Sequence, residues 1–177
     1  MNKILFTLLF TFGIFHLSFA QDNLFDDIDE APVEEATTSS SGYIIEEKPS
    51  ANWQTSFEQA LSKAKNEQKP LLIYFTGSDW CGPCKRLEQD VFSTEKFINM
   101  SDENLVLYKA DFPRNTDLVS PENKSMNQQL STRYNQTSFP TMLIINEYGS
   151  TLGRKNGVYM SDSYFYFFED IVRRYRG

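Results

Sequence analysis

Trp80-Cys81-Gly82-Pro83-Cys84-Lys85 holds both cysteines of this 177-residue chain. Two thiols three positions apart can close a small disulfide across the first turn of a helix. Reduced, the same pair can attack a disulfide in another molecule and resolve the product. No third cysteine remains for a structural cross-link or a four-thiolate metal site, so the dyad itself points to the function. The thiolate is the attacking species, and Cys81, after a strand and turn, would sit where a helix opens, with free backbone N–H groups and the positive end of the dipole nearby. Cys84, one turn further in, would be more buried and act as the resolving thiol. Pro83 suits the first helical turn, where a missing N–H costs nothing. Gly82 leaves the sulfur open to a partner, and Trp80 offers a flat apolar cover on one side.

Outward from this stretch, hydrophobic periodicity alternates between the two regular structures. Upstream, Trp53, Phe57, Ala60, Leu61 and Ala64 recur at helical spacing and predict an amphipathic helix of about four turns beginning near Asn52. After Pro70, the continuous apolar run Leu71 to Phe75 is expected to be a central strand covered on both faces. Thr76-Gly77-Ser78-Asp79 makes the turn into the cysteine motif. Downstream, Leu87, Val91, Phe92, Phe97 and Ile98 mark the buried side of a helix with a break near Ser93-Thr94, and Leu105 to Asp111 reads as a strand. Phe112 to Lys124, with two prolines, reads as a surface loop before a helix from about Ser125 to Tyr134. Thr141 to Ile145 is a further strand, turned by Asn146-Glu147-Tyr148-Gly149 into a short strand over Ser150 to Arg154. A final helix from about Ser161 to Tyr175 carries Asp162 in its first turn and Arg173, Arg174 and Arg176 in its last, which suits the helix dipole.

Composition bounds the partners. The formal charge of −7 is concentrated: Asp22 through Lys48 holds nine acidic residues and one basic, whereas Pro49 onward holds fifteen of each. No basic stripe exists to follow a phosphate backbone, so nucleic acid is not an expected partner. Lys3, the apolar run Ile4 to Phe15 and the small residues of Ser18-Phe19-Ala20 read as a signal peptide over residues 1–20, favoured over an uncleaved anchor. No cysteine follows the cleavage site to take a lipid. Residues 21–50, acidic and poor in periodic apolar residues, read as a flexible linker, in which Tyr43-Ile44-Ile45 is the one cluster able to lie on the domain or pair as an edge strand. Residues 51–177 form the expected domain. Export to the periplasm or beyond would put the cysteines where disulfides persist. Cleavage would also remove His16, the chain's only histidine, which excludes imidazole bases and His-ligated metals. No metal and no cofactor is expected.

Trp-Cys-Gly-Pro-Cys-Lys after an apolar strand resembles the active site of the thioredoxin family, and the likeness runs from about Trp53 to Arg176. Phe139-Pro140-Thr141, just before another apolar strand, resembles the family's segment with a cis proline facing the sulfurs. Gly157 resembles the family's glycine beside the substrate groove. The resemblance implies an α/β thioredoxin fold, a central mixed sheet with helices on both faces. It also implies thiol–disulfide exchange by Cys81 and Cys84, with Trp80, Gly82, Pro83, Phe139, Pro140 and Gly157 lining the place where a client's backbone adds as a strand. Lys85 and Lys109 match family positions. The pattern departs at Phe75, where the family carries a buried aspartate; Asp79 and Glu88 are the nearest carboxylates that could substitute. Expected partners are disulfide-containing client proteins and a membrane or soluble thiol that donates electrons, with the chain itself a monomer. A non-catalytic thioredoxin-fold module that binds or chaperones clients is the alternative.

Overall fold

The computed structural model describes residues 50–177; the expected signal peptide, almost all of the linker and the Tyr43-Ile44-Ile45 cluster lie outside them. Leu71–Thr76 forms the central strand β2, buried along its entire length. Val106–Asp111 (β3) pairs with it in parallel, Leu71 opposite Val106 and Thr76 opposite Asp111. On the other side Thr141–Ile145 (β4) runs antiparallel, with Phe75 opposite Thr141. Thr151–Asn156 (β5) closes that edge as a hairpin, starting one residue later and ending two residues later than the sequence suggested. The opposite edge is Trp53–Gln54 (β1), parallel to β3, and the sheet order is β1-β3-β2-β4-β5.

Trp53 is therefore not the first residue of a helix, as its spacing from Phe57 had implied. The helix α1 spans Phe57–Glu67 and begins only after Ser56, whose side chain accepts from the Gln59 N–H. A cap of this kind satisfies a donor that a longer helix would have bonded internally. Trp53 is instead held by aromatic contacts with Tyr74, Phe92 and Phe97. The helix α4, by contrast, starts earlier than expected, at Pro121, and runs to Arg133, because Ser120 caps it through the Asn123 N–H and proline occupies the first turn.

Period-2 alternation along β2 divides the core between the two faces of the sheet. Leu72 and Tyr74 join the cluster containing both cysteines, Leu87, Phe92, Phe97 and Phe168. This face is covered by Gly82–Leu87 (α2), Glu95–Asn104 (α3) and Ser161–Arg176 (α5). Leu71, Ile73 and Phe75 face the other cluster, with Phe57, Ala60 and Ala64 of α1 and Leu130 of α4. Helices thus cover both faces, as expected, and Tyr108, buried on the α1 and α4 side, has its hydroxyl pushed up to about 12 by loss of solvent.

Between α2 and α3 the chain makes one π turn over Glu88–Phe92, closed by a bond from the Ser93 N–H to the Glu88 carbonyl at 2.9 Å. The extra residue swings Val91 and Phe92 into the core, and Thr94 then caps α3 at the break foreseen near Ser93-Thr94. Among the described residues no helix is long and apolar enough to cross a membrane. Replacing Ser120 by Ala should lower stability by about 1 kcal/mol, measured by denaturant unfolding, while leaving Asn123 and the rest of α4 in place.

Candidate functional site

The turn between β2 and α2 is shaped by one close approach. A Cβ at Gly77 would stand 2.3 Å from Cε2 of Trp80, so the indole lies flat over a residue that can carry no side chain. The Trp80 Nε1–H donates to the Phe112 carbonyl at 2.8 Å, and the Cys81 N–H donates to the Gly77 carbonyl at 2.8 Å. Cys81 is the N-cap of α2, and its sulfur accepts from the Cys84 N–H at 3.2 Å. Cys81 and Cys84 are joined as a disulfide, with Cα atoms 5.2 Å apart. Cys84 is wholly buried and Cys81 retains 4% exposure, so the outer sulfur is the one a partner can reach. Pro83 lies in the first turn of α2, and a Cβ at Gly82 would meet nothing within 4 Å, leaving open space in front of the dyad.

The peptide bond between Phe139 and Pro140 is cis. Phe139 packs edge-on against Trp80 at 5.7 Å between ring centres, which brings the two sequence motifs together. Gly157, with φ of 79°, donates its N–H to the Pro140 carbonyl at 2.9 Å and accepts from the Tyr164 hydroxyl at 2.7 Å. The end of β5 is thereby fastened to the cis-proline segment. Immediately beyond it Val158, Tyr159 and Met160 expose apolar side chains to solvent.

The supporting residues named from sequence are placed differently. Lys85 donates to the Asp79 carbonyl at 2.9 Å, away from the sulfurs. The Asp79 carboxylate accepts from the N–H groups of Asn115 and Arg114 at 2.8 and 3.0 Å, clamping the loop after β3. Those amides, Asn115 first, hold its carboxyl below the usual carboxylate range. Lys109 pairs with Glu88 at 3.1 Å, both side chains about one-third exposed. Phe75 packs on the α1 and α4 side, stacked on Phe112, and offers no proton acceptor.

Two site residues were not singled out from sequence. Phe112 lies between Phe75 and Phe139, its ring 5.4 Å from the latter, and its carbonyl anchors Trp80. Only its position at the end of a strand, before Pro113, hinted at this. Tyr74 is wholly buried and donates its hydroxyl to the Cys84 carbonyl at 3.2 Å. Desolvation holds that phenol well above its ordinary range, so it stays protonated. A lone hydroxyl-bearing aromatic within Leu71 to Phe75 was the signal available.

With this geometry in place, the family-model match for thioredoxin-like proteins, over residues 52–146, decides the classification. The chain belongs to the thioredoxin-like family. Among curated members it is similar to a disulfide bond reductase, DsbH, of Chlamydia pneumoniae, at 31% identity over 56% of this chain and 59% of that protein. It is also similar to the thioredoxin-related protein DsbJ of the same organism, at 28% identity over 57% of this chain and 33% of that one. The match therefore spans less than two thirds of either relative. Among solved structures a DsbH oxidoreductase superposes with a TM-score of 0.64 at 26% identity, over 71% of this chain and 86% of that one. A thioredoxin from Thermus thermophilus superposes with a TM-score of 0.55 at 20% identity and shares the fold.

Two outcomes follow from the site. Gly77→Ala should destabilise the fold by about 1–3 kcal/mol, because the Trp80 ring must leave its place, and tryptophan fluorescence should report the displacement. The Asp79 clamp works only while the carboxylate is ionised. Its folded-state pKa is depressed, so its contribution is complete above the ordinary carboxylate value of about 3.8 and is lost as pH falls through the lower folded value. Limited proteolysis at Arg114–Asn115 should become faster only in that acid range, and Asp79→Asn should show the faster cleavage already at neutral pH.

Proposed function

We propose that this protein is an exported thiol–disulfide oxidoreductase that reduces protein disulfides, with Cys81 as nucleophile and Cys84 as resolving thiol. The observation that carries the reading is the Cys81–Cys84 disulfide at the opening of α2, outer sulfur on a backbone N–H, with the residue before the cis proline packed on the adjoining Trp80. The Cys81 thiolate attacks one sulfur of a client disulfide, which is broken and replaced by a mixed disulfide, and the other client sulfur leaves as a thiolate that takes a proton from water. Cys84 then attacks Cys81, releasing the second client thiol and leaving the dyad oxidised. Two electrons pass from the dithiol to the client, and a thiol donor must return them.

Several features support the details. A client strand can add beside Phe139: among the described residues no hydrogen bond is made by its N–H or carbonyl, so both are free for a partner backbone. Trp80 on one side and Val158 to Met160 beyond Gly157 give that strand apolar surface. The Gly-Pro dipeptide between the cysteines and the absence of a histidine in the domain favour a reductant over a strong oxidant. The relative named disulfide bond reductase agrees with this direction. The export signature of residues 1–20 supports a periplasmic or secreted protein, spaced by the acidic linker.

Cys81→Ser should abolish insulin reduction, and Cys84→Ser should accumulate clients in mixed disulfide with Cys81, identified by mass spectrometry. The reduction potential should lie nearer about −270 mV than about −120 mV. A double Cys→Ser variant that still protects or binds clients as well as the parent would instead make the protein a binding module.

A further inference from the structure

Three consecutive large apolar side chains, Val158, Tyr159 and Met160, stand in solvent between the end of β5 and the start of α5. Met160, at 82% exposure, is the most open large hydrophobic side chain among the described residues. It also occupies the N-cap of α5, where it makes no capping bond and where Ser, Thr, Asp or Asn would serve the helix better. Neither choice helps folding. Departures of this kind from local preference occur where a surface is kept for a partner.

Although exposed, the segment is held in one shape. The side chain of Tyr164 is buried in the same core cluster as the two cysteines. Its hydroxyl donates to the Gly157 carbonyl at 2.7 Å and accepts from the Tyr159 N–H at 3.1 Å, so one oxygen closes the turn from both ends. Burial raises the phenol above its ordinary range, and the hydroxyl keeps the proton it donates. Tyr159 is pinned from a second side: the Lys155 ammonium lies 4.2 Å from its ring centre and donates to the Ser163 Oγ at 2.8 Å. The turn is also continuous with the place where a client strand would add. The Gly157 N–H donates to the Pro140 carbonyl at 2.9 Å, and Thr141 pairs with Asn156 in the sheet, its hydroxyl donating to Asn156 Oδ1 at 3.1 Å. A Cβ at Gly157 would meet nothing within 4 Å, so open space stands over the joint between the two.

We propose that Tyr164 is a positioning residue for client selection: its hydroxyl sets residues 157–160 as an apolar shelf, and the shelf takes an apolar side chain flanking the disulfide of an extended polypeptide. The inference rests on the exchange reaction proposed above and deepens it, because it makes a polypeptide with apolar neighbours beside its cysteine the preferred substrate class. Met160 suits such a shelf, since its unbranched thioether adapts to side chains of different shape. The Tyr164 hydroxyl is committed to Gly157 and Tyr159, so its loss weakens client binding and leaves the exchange of sulfurs to the dyad.

Single-turnover reactions of the reduced full chain with increasing concentrations of a disulfide give a half-saturating concentration and a limiting rate. The probes are glutathione disulfide and two disulfide-bridged peptides that carry either leucine or serine on both sides of one cysteine. The parent should favour the leucine peptide about tenfold through its half-saturating concentration, the preference that a well-placed apolar contact supplies. Met160→Ser should remove most of that preference. Because serine is a favoured N-cap, the same variant should unfold at a higher denaturant concentration than the parent. Tyr164→Phe, which keeps the ring in the core and takes away only the oxygen, should lose the preference at an unchanged limiting rate. A parental preference in either variant overturns the proposal, as does a parent that reduces both peptides equally well. Equal slowing of Tyr164→Phe on all three probes would make the tyrosine a prop of the core and ends its positioning role. Failure of the parent to reduce any probe would instead remove the exchange reading itself.

Discussion

The hydrogen bond from the Tyr74 hydroxyl to the Cys84 carbonyl fixes the short helix carrying the cysteines against the centre of the sheet. It is a buried polar contact, and its loss would leave a donor or acceptor unpaired in an apolar layer, at a cost of about 1–3 kcal/mol. Tyr74 is held in turn by Trp53 and Phe92, the latter at 4.7 Å between ring centres. A six-residue helix has little stability of its own, because nucleation is costly and most helical stability comes from packing. The inner cysteine is therefore placed by the strand beneath it, and the outer one by the Gly77 carbonyl and by the Cys84 N–H.

Around that anchor the aromatic residues form one connected tier. Trp80, Phe139, Phe112 and Phe75 touch in sequence, linking the β2 turn, the cis-proline segment and the loop after β3. Asp79 and Asp111 add polar ties to the same loop, the latter accepting from the N–H and hydroxyl of Ser78. Rings in contact bury much area and favour a small set of geometries, so the surface beside the disulfide is shaped by the fold itself. The free energy of ordering these loops is then spent in folding.

The distribution of charge follows the same logic. The domain pairs its ionic groups locally, as in Glu67 with Lys69 and Asp170 with Arg173 and Arg174, and the acidic excess sits in the preceding segment. Exposed pairs of this kind contribute little each. The Lys109–Glu88 pair ties β3 to the end of α2.

The segment around Pro140 was read from its resemblance to the family. The amino-acid order alone determined the dyad and the alternation of helices and strands, because each is written in local spacing: period 2, period 3.6, and a Cys-x-x-Cys turn. It misplaced Trp53 for the same reason. Its distance from Phe57 fits a helix, and only pairing with Leu107 of β3 makes it a strand residue. Tertiary structure decided which residues surround the turn that carries the dyad and what each of them bonds to. Phe112 arrives from a loop more than thirty positions away in sequence, Tyr74 is selected over Phe75 by the pleat of β2, and Asp79 turns to the loop while Glu88 turns to Lys109. These choices depend on which face of the sheet a side chain takes and on which strand becomes its neighbour. Both are settled by burial across the whole sheet, which no local stretch of sequence can specify.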